Sequence, residues 1–365
     1  MNRFVCAGLI SIIAIAPGFV LSDDSFSLFI DQDVFYPPQN EDRNYTMGLL
    51  MQWEGDAVKQ SGAGQPLELM HDKLQRWFPG LSNYKDPRVG IGAGIVVYTP
   101  ENLEAKEPLS DDRPYASLLY GSIISTYINT QSVSLVRHEL RAGVLGLRIA
   151  ENVQTWIHQA IRASRNDGSG RVDPEGWSNQ ISDGGEPTLL YRIGYSRRFG
   201  EIESVDQRFH WFQSQFDSDI AVGYNNYVSA GLTIKIGYID RYKLQPPTQI
   251  GDPNILNALP TNGSTDKNIN GKPSGDRSAE IYMFGRLTGS AVAYNALIQG
   301  QFRSIPDEYK EIDIEHFVAG WQYGVTFDNG DFALTYAING RTPEFKSSGS
   351  DRNHWWGGVY LTWRM

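Results

Sequence analysis

Apolar and polar residues alternate along most of this chain, in stretches of about ten residues. Every second residue from Tyr45 to Trp53 is large and apolar, and the stretch 317–328 has one face of Phe, Ala, Trp, Tyr, Val and Phe. A period of two places successive side chains on opposite faces of a strand, and 9–11 residues are enough for a tilted strand to cross a membrane. The pattern therefore predicts an all-β fold with long strands.

The alternation predicts about twelve strands, and an even number lets a barrel close with both termini on the periplasmic side. The chain also ends on an alternating stretch, 359–365, as outer-membrane barrels commonly do. A soluble sandwich is the alternative, but its outward faces would rarely carry Trp, Tyr and Met so consistently. We predict a transmembrane antiparallel β-barrel with strands at roughly 25–35, 44–54, 88–98, 115–127, 132–146, 187–198, 207–223, 227–239, 279–290, 312–328, 331–341 and 355–365.

Composition narrows the class of protein. A mean hydropathy of −0.37 excludes a helical membrane protein, whereas 37 Gly, 9 Trp and 19 Tyr favour a membrane barrel with aromatic girdles. The net charge of −10 argues against nucleic-acid binding. The expected partners are therefore the outer membrane and its lipids, and the closed barrel is expected to be a monomer.

The expected domains are a signal peptide, residues 1–22, and one barrel domain, residues 23–365. Arg3 and the apolar stretch from Phe4 to Ala16 fit a secretory signal. Cys6, the single cysteine, would leave with it. The strand count places 55–87 and 241–277 on the periplasmic side, where turns are normally short, so we expect both to be unusual additions.

Strand direction assigns the candidate functional residues to one end of the barrel. If the first strand runs outward, Asp33 lies at its outer end and Thr46 at the start of the next strand. The third outer loop, roughly 147–186, contains Gln154 and His158, four residues apart and therefore on one face of a short predicted helix. All four residues are expected at the extracellular end.

These residue types can together hydrolyse an ester. His158 is the natural general base near neutral pH, and Gln154 can orient a water molecule or the imidazole. Asp33, Gln32 and Thr46 offer oxygen ligands that suit Ca²⁺. The absence of a Gly-x-Ser-x-Gly motif lowers the case for a serine nucleophile.

Each candidate also has a structural interpretation. His158 could decorate an exposed helix, Asp33 could face the lumen, and Gln32 points to the opposite face unless a bulge turns it. Gly176-Trp177 could be loop packing or a platform for a sugar.

The other histidines compete with His158 for the role of base. His138 is expected to face outward, and His71, His210 and His316 are assigned to the periplasmic side. His354, near the outer end, is the one serious rival.

The chain resembles the outer-membrane lipid A 3′-O-deacylases. The resemblance spans nearly the whole expected mature chain, and its blocks are specific as a set. They are Phe26–Phe35, Asp42–Gly48, Tyr98–Pro100, Asp111–Ala116, Gly143–Gly146, Gln154-x-x-x-His158, Gly176–Gln180 and Thr342–Phe345.

The resemblance implies a twelve-stranded barrel that uses Ca²⁺ to hydrolyse the ester at the 3′ position of lipid A. It assigns the catalytic roles to Gln32, Asp33, Thr46, Gln154 and His158. Gln32 departs from the family's asparagine and reaches one methylene further. Lys106 is only a candidate for the family's head-group lysine, and Met365 replaces the more usual terminal Phe.

Two other functions remain open at this level. Because Gln32 departs from the family's asparagine, the chain could also be a non-enzymatic barrel, a pore or an adhesin, whose site is no longer active. A phospholipase acting on outer-leaflet glycerolipid would use the same chemistry, and only the substrate separates it from a lipid A deacylase.

Overall fold

The computed structural model describes residues 24–36, 44–152, 154, 174–204, 209–240, 279–346 and 352–365. Within them, twelve antiparallel strands form a closed barrel in which each strand pairs with its sequence neighbours and β1 pairs with β12. This confirms the predicted fold class and the strand count. The predicted signal peptide and the whole of the predicted loop 241–277 lie outside the described residues.

The strands cover most of the described chain. Their bounds are β1 Ser25–Gln32, β2 Asn44–Glu54, β3 Arg88–Thr99, β4 Ala116–Asn129, β5 Ser134–Leu145, β6 Glu186–Glu203, β7 Phe209–Gly223, β8 Asn225–Asp240, β9 Glu280–Asn295, β10 Phe317–Asp328, β11 Phe332–Arg341 and β12 His354–Arg364.

The short helices lie between the strands. They are α1 Asp56–Gln60, α2 Gln65–Gln75, α3 at 149–152 and 154, α4 Ala296–Gln299 and α5 Asp307–Lys310. No helix in the described part of the chain is long and apolar enough to span a bilayer.

Four strand boundaries lie three or more residues from the prediction. β6 ends at Glu203 and β9 at Asn295, each five residues beyond the predicted end. The first strand ends at Gln32, because 33–35 form a 3-10 turn. The tenth begins at Phe317 and not near 312, because α5 precedes it and Ile314 makes only an isolated bridge to Phe345. Apolar residues in these turns pack at the rim and so resemble strand continuations in sequence.

The lumen of the barrel is filled. Inward-facing polar and aromatic side chains are buried throughout the described strands, and ion pairs join them across the interior. Glu139 lies between Arg141, at 2.6 Å, and Arg192, while Arg286 lies 3.8 Å from Asp217. The outward faces are apolar and exposed, as the lipid-facing side of a barrel must be.

We call the end that holds Ser25 and Arg364 the terminal end, and the opposite end the distal end. Strand direction places His71 and His210 towards the terminal end, as predicted. The prediction for His316 was wrong, because β10 starts at the distal end, where His316 Nδ1 contacts the Val292 carbonyl oxygen at 2.8 Å. His138 faces outward as predicted, but it is fully buried beneath the segment that contains α2.

Candidate functional site on the outer wall

The distal end of β1 carries the first two predicted site residues. Gln32 is its last paired residue, opposite Met47 of β2 and Gly357 of β12. No register shift interrupts β1, so alternation puts Gln32 on the outward face of the wall, as the sequence predicted in the absence of a bulge. Asp33 follows at once, begins the 3-10 turn and is fully buried.

A β-bulge positions Thr46. The register between β2 and β3 shifts between Tyr45 and Met47, so Thr46 is the extra residue. Tyr45 stays in the lumen against Tyr98, whereas the Thr46 hydroxyl lies 2.7 Å from the hydroxyl of Thr99. Because a bulge re-aims the side chain of its extra residue, Thr46 can reach Thr99, which alternation places on the outward face of β3.

A loop covers this outward patch. Val97 of β3 forms a buried cluster with Ala150 of α3 and Trp177, and Met47 packs against it. The Trp177 indole N–H donates a 3.0 Å hydrogen bond to Gln154 Oε1. Gln154 is therefore held over the same stretch of wall that carries Gln32 and Thr46.

The carboxamide oxygen of Gln154 is hydrogen-bonded to Trp177, whereas the carboxamide nitrogen is available to a ligand. Its side chain is buried, and its Nε2 has no hydrogen-bond partner among the residues that the structure describes. A buried amide donor without a partner is costly. The geometry therefore leaves a donor that a ligand oxygen could satisfy.

Close packing holds the covering loop. A Cβ on Gly176 would come within 2.6 Å of both the Ala105 carbonyl oxygen and the Tyr115 ring, so only glycine fits beside Trp177. The loop is also tied to β4, where the Ser117 hydroxyl donates to Gln180 Oε1 at 3.1 Å.

Asp112 organises the neighbouring loop after β3. Its carboxylate accepts hydrogen bonds from the backbone N–H groups of Glu101, Asn102 and Arg113 at 3.0, 3.1 and 2.7 Å. Burial raises the pKa of Asp112, because the loss of solvation outweighs these three hydrogen bonds. The sequence motif Asp112-Arg113-Pro114 is therefore a structural turn.

The lumen side of this wall is closed. Asp31 accepts hydrogen bonds from the hydroxyls of Tyr45 and Tyr360 at 3.2 and 3.0 Å. Arg113 stacks over the Tyr98 ring at 4.0 Å and bonds Glu344. A ligand could reach Gln32 and Thr46 from the outer side of the wall, but not through this packed interior.

Lys106 lies on the exposed rim of the covering loops. Its ammonium lies 2.9 Å from Glu175, and this hydrogen bond raises its pKa. Its side chain is 74% exposed, so it is accessible to a ligand that can compete with Glu175.

The burial of Trp177 and of His354 decides between the alternative interpretations of these two residues. Trp177 is 1% exposed, so it is loop packing and not a platform for a sugar. His354 is buried, with its Nε2 3.0 Å from the Tyr45 carbonyl oxygen and its ring stacked on Trp356. It belongs to the packed interior. His158 lies outside the described residues.

The donor set suits a hard cation. Gln32, Asp33 and Thr46 offer only oxygen ligands from their acceptor groups, which Ca²⁺ prefers. Among the described residues no cluster of three Asp, Glu, His or Cys could hold a metal, so the set provides a single carboxylate. It fits an ion that completes its shell with backbone, water or substrate oxygens.

Sequence reasoning missed the partners that hold the site. The sequence pattern includes Thr99 only within the block Tyr98–Pro100, although its position on the outward face of β3 could have placed it near Thr46. The contact between Trp177 and Gln154 joins residues 23 positions apart in a long loop, and no periodicity predicts it.

Comparison with known proteins identifies the family of the chain. The model of the family described as "Outer membrane protein LpxR" matches residues 4–365. The structure of LpxR from Salmonella typhimurium superposes with a TM-score of 0.67 at 15% identity, covering 93% of this chain and all of that one.

Other matches are weaker. The β domain of the Bordetella autotransporter Brka gives a TM-score of 0.39 at 8% identity, covering 94% of this chain and 99% of that one, which is too low to carry an argument. Comparison with curated protein sequences gives no significant match. On the family match across nearly its whole length, the chain belongs to the LpxR family of outer-membrane proteins.

Proposed function

We propose that this protein is a Ca²⁺-dependent lipid A 3′-O-deacylase of the outer membrane. The observation that carries the proposal is the location of Gln32, Thr46 and Gln154 between the outward face of the wall and a covering loop, at the distal end. That outward face contacts lipid and is not accessible to a solute in the lumen. Membership in the LpxR family supports an outer-membrane lipid A deacylase.

The proposed reaction is hydrolysis of one ester. Water adds to the ester carbonyl carbon while His158 accepts its proton. The bond from that carbon to the 3′ oxygen then breaks, and the proton returns to the sugar oxygen. The products are a 3′ hydroxyl on lipid A and an acyloxyacyl carboxylic acid.

The remaining residues bind and orient. The unpartnered Nε2 of Gln154 can donate to a substrate or water oxygen, because Trp177 fixes the other end of the amide. Lys106 on the rim can contact an anionic head group. Asp33, Gln32 and Thr46 would hold Ca²⁺, which when bound supplies Lewis-acid polarisation of the ester carbonyl.

The filled lumen argues against the pore alternative. Inward-facing charged residues such as Glu139, Arg192 and Arg286 are at most 4% exposed, whereas the wall of a water-filled pore is accessible to solvent. A phospholipase shares the chemistry and differs only in substrate, so the test below includes phospholipid.

The test is mass spectrometry of lipid A from cells that express the chain, with and without Ca²⁺ chelation. We expect loss of the 3′-linked acyloxyacyl mass. His158→Ala should abolish the loss, and His316→Ala is the matched control, because this distal-end histidine precedes β10, three strands from β1 around the barrel.

Barrel insertion is checked in parallel by the heat-dependent shift on gels. Unchanged lipid A with correctly inserted wild-type barrel would overturn the proposal. Release of fatty acid from phospholipid in the same cells would instead identify a phospholipase. Deacylation that persists in His158→Ala would remove His158 as the base.

A further inference from the structure

The segment between β2 and β3 covers the outside of the barrel at the terminal end. It contains α1, α2 and the 3-10 turn Pro79–Asn83, and we call residues 56–84 the terminal belt. Outward residues beneath it, Val89 and Ser125, are fully buried. Gly64 of the belt lies so near Val89 that a Cβ there would be 2.8 Å from its side chain.

Polar contacts fix the belt to the wall. His71 of α2 contacts His138 of β5, Nδ1 to Nε2, at 2.9 Å, and its other nitrogen lies 3.1 Å from the Tyr84 carbonyl oxygen. The Tyr84 hydroxyl lies 2.6 Å from that of Ser134. The belt is therefore a docked element with a defined inner and outer side.

The outer side of the belt is unusually apolar. Leu69 is 63% exposed, Met70 39%, Trp77 82% and Phe78 62%. Single exposed apolar residues need no explanation, but a group of this size on one segment marks an interaction surface.

The arrangement on α2 is amphipathic, and the helix with its C-cap carries two basic residues, Lys73 and Arg76, and two acidic ones, Glu68 and Asp72. At roughly 100° per residue, Met70 and Trp77, seven positions apart, lie on one line of the helix, with Lys73 beside them. The hydrogen bond from the Phe78 N–H to the Leu74 carbonyl continues the helical turn through this region. Lys73 and Arg76 are exposed and have no ion-pair partner within the described residues, while Asp72 lies nearly opposite Met70.

This surface is continuous with the lipid-facing wall. Ile91, the outward position after Val89 on β3, is 41% exposed. On the other side His138 pairs with Ile193, and Ile193 with Ile220, which is 51% exposed. The exposed apolar residues of the belt thus extend the surface that the bilayer already covers.

We propose that the terminal belt lies in the periplasmic leaflet of the outer membrane and contacts anionic phospholipid. Met70, Trp77 and Phe78 enter the acyl region, where aromatic rings favour the interface. Lys73 and Arg76 reach the lipid phosphates, with their alkyl stems along the apolar arc. The barrel thereby contacts both leaflets, with the terminal belt in the periplasmic leaflet and the candidate site at the opposite end.

The test measures the depth of single spin labels in the full chain. Labels are placed at Met70→Cys and Trp77→Cys in a Cys6→Ser background, so that each introduced cysteine is the only one. The protein is inserted into vesicles of phosphatidylethanolamine and phosphatidylglycerol. Asp72→Cys is the matched control on the same helix, and Ile220→Cys marks the lipid-facing wall.

We expect power saturation to show preferential contact with oxygen at Met70 and Trp77, as at Ile220, and with a water-soluble nickel chelate at Asp72. Replacing phosphatidylglycerol by phosphatidylcholine should make both belt labels shallower. Chelate contact at Met70 and Trp77 equal to that at Asp72 would overturn the proposal. Dipolar broadening between copies, with protection from both reagents, would also overturn it, because it would show a second protein chain on this surface.

Discussion

A hydroxyl pair on the outer wall joins the second and third strands at the distal end. Thr46 and Thr99 lie 2.7 Å apart, and both are buried. The barrel contains a comparable pair on β10 and β11 towards the terminal end, where the hydroxyls of Thr326 and Thr335 are 2.8 Å apart and part of the interior. The Thr326–Thr335 pair can therefore serve as a control for the Thr46–Thr99 pair, because both are contacts between two threonine hydroxyls.

We predict that Thr46→Val lowers lipid A deacylation at least tenfold, because it removes an oxygen from the proposed ion and substrate site. Thr326→Val should leave activity unchanged. Thr46→Val loses one buried hydrogen bond and should lose about 1 kcal/mol of unfolding free energy, whereas Thr326→Val loses its contacts to both Thr335 and Tyr282 and should lose at least as much. The measurements are initial rates and urea unfolding of refolded barrel. Equal activity in the two variants would show that Thr46 has a structural role only.

Trp177 is inferred to position Gln154. Trp177→Phe keeps most of the packing against Tyr115, whose ring centroid is 4.7 Å away, but removes the N–H that holds the carboxamide. We expect kcat to fall by roughly tenfold, which corresponds to about 1.4 kcal/mol, with KM little changed. Trp363→Phe is the control, because this outer-wall aromatic lies at the terminal end, with its ring centroid 6.1 Å from that of Phe26. A rise in KM at constant kcat would show that Trp177 shapes binding and not the reacting geometry.

At the scale of elements, the docking of α2 depends on which nitrogens carry protons. The Tyr84 carbonyl can only accept, so His71 Nε2 is protonated and its Nδ1 accepts from His138 Nε2. The Tyr191 hydroxyl, 2.7 Å from His138 Nδ1, then donates to it. All three contacts are satisfied when both rings are neutral.

We predict that His71→Phe loosens the terminal belt. The variant keeps a ring but loses the contacts to the His138 Nε2 and the Tyr84 carbonyl oxygen, and it leaves both buried groups without that partner. A spin label at Met70→Cys should therefore be more mobile in this variant than in the wild-type protein.

His316→Phe is the control, because it also removes a histidine contact to a backbone carbonyl oxygen, but at the distal end, and its label at Met70→Cys should keep the wild-type mobility. Equal label mobility in His71→Phe and the wild-type protein would show that these contacts do not hold the belt.

The elements also show what the sequence could predict. Alternation finds all twelve strands, because a strand that faces lipid on one side must be apolar there, and it places Gln32 outward. It cannot find the bulge at Thr46, since one inserted residue in a short polar run leaves the period intact on either side. It also gives no sign that 55–87 folds back onto β3–β5, because that docking rests on single contacts such as His71 to His138.

At the scale of the whole molecule, charges in the lumen compensate one another. Glu139 is 2% exposed and lies among Arg137, Arg141 and Arg192, with Arg141 Nε at 2.6 Å. Removing one partner of a buried ion pair leaves uncompensated charge and costs roughly 3–5 kcal/mol. The interior of this barrel therefore acts as a hydrogen-bonded core, and the site is confined to the outer wall.

We predict that the wild-type barrel conducts no ions in planar bilayers and that Glu139→Gln lowers its unfolding free energy by about 3–5 kcal/mol. The control is Asp307→Asn, since Asp307 pairs with Lys310 at 2.6 Å and both side chains are exposed, and such a pair contributes little to stability. Urea unfolding followed by tryptophan fluorescence gives both energies, and a known porin calibrates the conductance. Stable ohmic conductance by the wild-type protein would contradict the closed lumen and return the pore alternative to first place. An equal loss of stability in the two variants would show that Glu139 is not the centre of the interior network.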